Sequence, residues 1–437
     1  MRQVTWGRAS KAGLTTSIGA LFMVVSAPLW VHLDWIALEY FDASLTTTLR
    51  ALMSKGPITF VQEYSPHPSY QAALGYTAWL ALQSLLYSYL PGPKCLGQRT
   101  PGGHQLSYTT NGLTAWYITH IAFLAGALLG LLDPASIAKH WQGLLVAANA
   151  YGFALAVLAP LKGYWCPTYR EDCKISGEQH PLLDVELNPR IGKHYDLKFF
   201  HNGRPGIVAW TLINFSWAAY QRERLGYVTN PMLLVIALQT LYVVDFFINE
   251  NWYTRTIDIS HDHFGFMLAW GDTTFLPTTY TLQAQYLARN PIHLTPLHTL
   301  AILATGLTAY AIFRSANHQR DHVRTHNGAA RLWGRPATFI RASYSTSDWQ
   351  VHHTILLTSG WWGVVRHANY FADLLLAAAM CATCGVTHVL PWTYFFFMGV
   401  LLWHRCGRDE RRCRAKYGAF WAEYCEKVPW RLVPGVY

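Results

Sequence analysis

The sequence predicts an all-α integral membrane protein of about ten transmembrane helices. Composition, span counting and the placement of basic residues each lead there. Of the 437 residues, 51% are hydrophobic and 15% aromatic but only 13% charged, against about 25% charged in an ordinary soluble chain. Mostly apolar stretches near the ~20 residues that cross a bilayer recur ten times: roughly 13–33, 68–92, 112–132, 143–162, 205–221, 228–248, 264–287, 294–314, 370–387 and 390–404. Ten crossings put both termini on one side. That side, with every even-numbered loop, holds 28 of the 34 Lys and Arg; the other holds Arg50, Lys55, Lys139, Arg222, Arg224 and Arg289. Positive residues accumulate on the cytoplasmic side, so the count predicts cytoplasmic termini.

The first stretch is charge-free from Gly13 to Val31. No clear small-residue cleavage site follows it, so it reads as a span and not as a removed signal. The last two come from one uncharged run, Leu374 to Trp403. Pro391 breaks or kinks a helix there, which predicts a tight hairpin over one tilted helix. The whole chain reads as one polytopic domain. Its longest polar stretches, about 163–204 and 315–353, fall on the cytoplasmic side, and the formal charge of +10 is assigned to such loops. No nucleic-acid partner is expected; membrane lipids are.

Nothing resembles a GxGxxG turn after a strand or a P-loop, so any nucleotide is held another way. Charged groups at membrane depth are costly and face cavities or partners. They concentrate in one region: Asp245, Glu250, Asp258, Asp262 and Asp272, with His261 and His263 among them. A proton-donor and polar substrate site is the preferred reading. A di-metal site lacks a clean ligand spacing, so no metal is expected, and interhelical hydrogen bonding is the plain alternative. Cys381 and Cys384 form a CxxC within an apolar helix, where small buried packing residues are expected before a zinc or redox pair. The eight cysteines are scattered, with no disulfide framework. Arg366 to Tyr370 and the tail from His404 to Gly418 gather Arg and Lys. Such a cluster suits anionic lipid or nucleotide phosphates. Interleaved Asp409, Tyr417 and Tyr424 favour a specific pocket.

Longer motifs then identify a resemblance. Leu187 to Gly192 reads LNPRIG, Gly265 to Asp272 reads GFMLAWGD, Gly360 to Gly363 reads GWWG, and Cys413 to Gly418 reads CRAKYG. With the closing Val428 to Gly435, these resemble the membrane sterol reductases, a family that includes the sterol C14 reductases, the lamin B receptor and 7-dehydrocholesterol reductase. The likeness runs from about Leu161 to Tyr437, more loosely upstream. Asn202 to Asn214, Asn249 to Tyr253, Thr256 to Ile259 and His261-Asp262-His263 are similar to the C7-reducing branch.

The resemblance implies a ten-helix fold and NADPH as hydride donor. It implies residues 1–200 as N-terminal helices with a cytoplasmic loop and 201–437 as a catalytic half, with a sterol cavity entered from the bilayer. The nucleotide pocket is expected to use Arg320, Arg324, Leu357, Trp362, Asn369, Tyr370, Arg405, Asp409, Cys413, Lys416, Tyr417 and Tyr424. Position 320 is Lys in the relatives; Arg320 keeps the charge but not the geometry. Tyr242 is the expected proton donor or relay, with Asp409 and Arg405 organising the nicotinamide end and His261, Asp262 and Glu250 as further catalytic candidates. The reaction expected is reduction of a sterol C7–C8 double bond. Location follows the source: endoplasmic reticulum in a eukaryote, inner membrane in a bacterium. C14–C15 reduction and a non-catalytic sterol-binding protein are the alternatives; an isoprenylcysteine-type methyltransferase would account only for the last hundred residues.

Overall fold

The computed structural model describes residues 14–173, 184–346 and 348–437. The start of the first predicted span, the preceding N-terminal residues and the middle of the 163–204 stretch lie outside the described residues. The chain is mostly helical. Among the described residues, four helices are long and apolar enough to cross a membrane: Ile18–Tyr40, Trp141–Trp165, Asn230–Ile248 and Pro296–Thr325. Gly112–Leu128 and Ala368–Ala382 are apolar but shorter.

Several expected spans differ in form. The 264–287 stretch is broken into Phe266–Trp270, a π-helical turn Gly271–Phe275, Leu276–Thr279 and Leu282–Arg289. Pro277 removes a donor inside the stretch, and four side chains there compete for backbone carbonyls: Thr273, Thr278, Thr281 and Gln285 all bond to carbonyls within the segment. The 205–221 stretch likewise opens with a π-helical Arg204–Val208 before Ala209–Leu225, which Gly226 ends at φ 83°. The predicted hairpin near Pro391 is present: Ala368–Ala382 turns through a short 3₁₀ segment, Leu390–Trp392, into Thr393–Tyr417.

The chain is not purely helical. The polar loops form two-stranded antiparallel pairs, Lys94–Arg99 with Gln105–Thr109 and Phe339–Ser345 with Val351–Leu357. Asp184–Glu186 also pairs with Phe264–Gly265. The largest core cluster runs from Val31 and Trp35 through Trp141, Trp217 and Trp270 to Met398 and Leu402, joining helices from both halves of the chain.

Contacts among the loops fall into two sets. Gln98 donates to the Arg255 carbonyl at 3.1 Å, Asp172 accepts from Gly102 N at 2.7 Å, Arg190 donates to the Ser107 carbonyl at 3.0 Å, Arg255 meets Asp321 at 3.0 Å and Arg408 meets Asp262 at 2.7 Å. All are residues of the even-numbered loops or the tail. In the other set Lys139 meets Glu223 at 2.8 Å, Arg224 donates to the Ala288 carbonyl at 3.2 Å and Arg289 pairs with Glu39; these belong to odd-numbered loops. Two helices overshoot toward the first set. At 1.5 Å per residue, the 30-residue Pro296–Thr325 helix is about 45 Å long, against a ~30 Å hydrocarbon core. It and Thr393–Tyr417 therefore carry their polar last turns beyond the apolar belt.

Candidate active site

The site starts from a buried lysine. Asp196 caps the helix Leu197–Gly203 by accepting from Phe199 N at 2.9 Å, and this aims Lys198 inward. Its Nζ donates to the Asp258, Ile259 and Asp262 carbonyls at 2.8, 2.7 and 2.8 Å. Burial lowers the Lys198 ammonium to about 8, against the pull of Asp196 and its neighbours. Three carbonyls on one ammonium pin the 257–263 segment, which leaves its carboxylates free to face the next element. Asp258 pairs with Arg405, and Asp262 with Arg408. Positions 405, 408, 409 and 412 share a flank of Thr393–Tyr417, because three and four residues make about one helical turn. Arg412 then holds Asp409 at 2.6 Å.

The loop before Ala368–Ala382 supplies the facing wall. Trp362 donates to the Ala316 carbonyl at 2.7 Å, and the Arg320 guanidinium lies 4.5 Å over its ring. Arg366 bonds Glu410 at 2.8 Å and the Val428 carbonyl at 2.6 Å, tying the C-terminal segment to this wall. The Phe339–Leu357 hairpin covers the end of the site: Ile340, Ala342 and Leu356 pack on Cys413, Trp421 and Tyr424.

These elements enclose a cavity of about 380 Å³. Of the expected residues, Tyr242, Arg320, Arg324, Leu357, Trp362, Asn369, Tyr370, Arg405, Asp409, Cys413, Tyr417 and Tyr424 line it. Lys416 does not; its Nζ stands 3.9 Å over the Tyr344 ring beside the site. Three catalytic candidates lie elsewhere. Glu250 is 2% exposed and locked to Arg204 at 2.6 Å, while accepting from Gly112 N at 2.8 Å. Asp262 is engaged by Arg408, and His261 is not part of the cavity wall. Sequence spacing put these groups near the site, but Glu250 and Asp262 are spent on ion pairs, and His261 Nδ1 is buried without a hydrogen-bond partner. Among the described residues, no three or more His, Cys, Asp or Glu gather as a metal set. Cys381 and Cys384 are buried thiols, the first accepting from Gln283 at 3.5 Å.

Asp373, one turn beyond Tyr370, also lines the cavity. It went unnoticed in the sequence because the uncharged run begins at the next residue; an acid one helical turn after Asn369 and Tyr370 was the available signal. Asp258 and Arg412 were also underweighted, since only their pairing reveals their part.

Electrostatics differ across the cavity. Burial alone raises the Asp409 carboxyl, but Arg412, His367 and Arg320 outweigh it and hold it at about 2. Asp409 is therefore ionised at neutral pH. Burial, with Arg324 beside it, lowers Arg320 to about 10, and burial among cations lowers Lys416 to about 7. Burial and Arg412 push His261 down to about 4, so it is neutral. Arg320 and Arg324 stand one turn apart, an unfavourable pair on a bare helix. Among the described residues neither has a carboxylate at ion-pair distance: Arg324 donates to the Ile355 carbonyl at 3.2 Å and Arg320 only weakly to Asn317. Asn369 Oδ1 and His367 Nε2 are buried without hydrogen-bond partners.

Comparison with known proteins agrees with this architecture. A model of the ergosterol biosynthesis ERG4/ERG24 family matches residues 8–437. The 7-dehydrocholesterol reductase of Xenopus laevis is 43% identical over 447 aligned positions, covering 99% of this chain and 94% of the relative. That of Danio rerio gives the same identity and coverage. The Delta(14)-sterol reductase of Methylotuvimicrobium alcaliphilum is 38% identical, over 95% of this chain and 94% of its own length. With a family match spanning nearly every residue, and a helical membrane architecture to go with it, this chain belongs to the ergosterol biosynthesis ERG4/ERG24 family of membrane sterol reductases.

Proposed function

We propose that this protein reduces the C7–C8 double bond of a sterol with NADPH, by protonation followed by hydride delivery. The observation that carries the cofactor is the Arg320–Arg324 pair: two adjacent guanidinium groups in one cavity, with no carboxylate partner among the described residues. Phosphates match the guanidinium fork. The unpartnered Asn369 Oδ1 nearby fits an amide donor. Arg320, Arg324 and Lys416 would hold the phosphates, and Asn369, Tyr370 and Asp409 the nicotinamide end. The bound cofactor would supply hydride.

The diene carries no carbonyl to withdraw charge, so protonation must come first. A proton at C8 leaves an allylic cation shared by C7 and C5, and hydride at C7 saturates the bond. Tyr242 would be the proton donor; what supports this is that it lines the cavity together with Asp373, Arg405 and Tyr370, with Trp210 against it at a ring separation of 5.7 Å. Asp373 would return the proton to Tyr242. Asp409, ionised, faces the developing cation. Aromatic walls exclude water.

Ten crossings with cytoplasmic termini belong to the same reading. The sorting of even- and odd-numbered loops into two contact sets supports it, as does the basic excess on the cavity side. The C7 assignment is supported by the names of the 43%-identical relatives. The 38%-identical relative named for C14 reduction makes that bond the competing substrate. The deciding assay supplies membranes bearing the chain with NADPH and 7-dehydrocholesterol, with a C14-unsaturated sterol in parallel, and reads products by mass spectrometry. Cholesterol from the first alone is expected. Turnover of only the second overturns the C7 reading.

A further inference from the structure

A second, much smaller cavity shares no lining residue with the active site. It is enclosed by the Leu14–Tyr40 helix, the start of Trp141–Trp165, and the broken segment around Leu276–Thr279 and Leu282–Arg289. Its volume is about 10 Å³, room for one water-sized particle. Asp34 lines it, 4% exposed, and neither carboxylate oxygen has a hydrogen-bond partner. Thr279, 1% exposed, also lines it with an unpartnered hydroxyl.

The other polar residues lining it, Thr278 and Gln285, have their donors engaged elsewhere. Thr278 gives its hydroxyl proton to the Thr274 carbonyl at 2.7 Å, keeping lone pairs free. Gln285 spends its amide N–H groups on the Thr278 carbonyl and Thr281 hydroxyl, both at 2.8 Å, which leaves its Oε1. Among the described residues lining the cavity there is no Lys, Arg or His. A carboxylate buried within a membrane needs a named partner, and an unpaired one is severely destabilising. A water would bond to these oxygens but would leave the carboxyl to neutralise its charge by keeping a proton; a bound cation would replace that proton and compensate the carboxylate directly.

We propose that this cavity binds one sodium ion, held by the Asp34 carboxylate and the oxygens of Thr279, Thr278 and Gln285. Hard cations take oxygen ligands of this kind. A single carboxylate suits a monovalent ion, and the enclosing volume admits little beyond the ion itself. The ion would tie the first helix to the broken Thr-rich segment.

Binding to the folded state alone raises thermal stability by mass action. Purified full-length protein in detergent is melted in sodium chloride and in choline chloride at equal ionic strength. Sodium is expected to raise the melting temperature in a saturable way. Asp34→Asn, close in shape but uncharged, should abolish the increment, and Thr279→Val should raise the sodium midpoint about tenfold, the scale of one lost bond to a charged group. Identical melting of the unmodified protein in both salts overturns the proposal, as does a full sodium increment in Asp34→Asn. Should that variant fail to fold, an unchanged midpoint in Thr279→Val overturns it instead.

Discussion

Two buried clusters of charge use the same residue types to opposite ends. Around Arg204, the guanidinium meets Glu250 at 2.6 Å and Asn111 at 2.8 Å, and Glu250 also takes the Gly112 N–H. The partners come from three distant parts of the chain and close on one another. Around Arg320 and Arg324, the guanidinium groups face a cavity of about 380 Å³ and find only a ring and weak neutral acceptors. The first cluster is a lock, its charges paired within the chain. The second, on the function proposed above, is a receptor that an anionic cofactor would complete. Arginine content does not separate them; the presence of a carboxylate within reach does.

The comparison can be broken first at the lock. Glu250→Ala leaves Arg204 buried and unpaired, a change costing about 3–5 kcal/mol. Thermal unfolding should show a large loss, and a variant melting like the parent would show that the cluster is no lock. At the receptor the balance reverses. Asp409→Asn should lower turnover about a hundredfold or more with a smaller stability loss than Glu250→Ala; parental turnover rules Asp409 out of the chemistry.

Arg324→Ala removes one receptor arm. NADPH should bind about tenfold more weakly, the worth of a charge-assisted bond, with the rate at saturating NADPH nearly unchanged. Equal NADPH affinity in parent and variant, read by fluorescence titration, would move the phosphates elsewhere.

A pH titration sharpens the same point more gently. Lys416 sits at about 7 because burial and nearby cations disfavour its charge. It therefore gains a proton as pH falls through 7 and is neutral above. NADPH affinity should weaken as pH rises from about 6 to 8, and Lys416→Arg, charged throughout, should flatten that slope. A parent profile as flat as the variant's would show that Lys416, beside the cavity, takes no part in holding the cofactor. The smallest effect belongs to the exposed Arg255–Asp321 pair, 49% and 33% exposed. Arg255→Ala should shift stability by about 0.5 kcal/mol or less; a large drop in melting temperature would show that solvent does not screen it.

Hydropathy and basic-residue placement made the helical membrane class legible, because burying apolar surface in lipid leaves a length-sized mark on the chain. Motif runs such as that from Cys413 to Gly418 made the pocket legible too, through the family resemblance they carry. The break at 264–287 was not legible: average hydropathy does not register how Thr hydroxyls and Pro277 redirect backbone hydrogen bonds. Nor was the fate of Glu250, which sequence proximity grouped with Asp258 and Asp262.

Sequence by itself thus determined the helical membrane class and the family, and through the family motifs most of the residues around the cavity, because these follow from hydropathy and contiguous motifs. Only the tertiary structure decided which charges are spent on one another and which remain for a ligand. Pairing Arg204 with Glu250, Arg405 with Asp258 and Arg412 with Asp409 depends on through-space distance between remote segments, and electrostatic energy in a buried setting falls steeply with that distance.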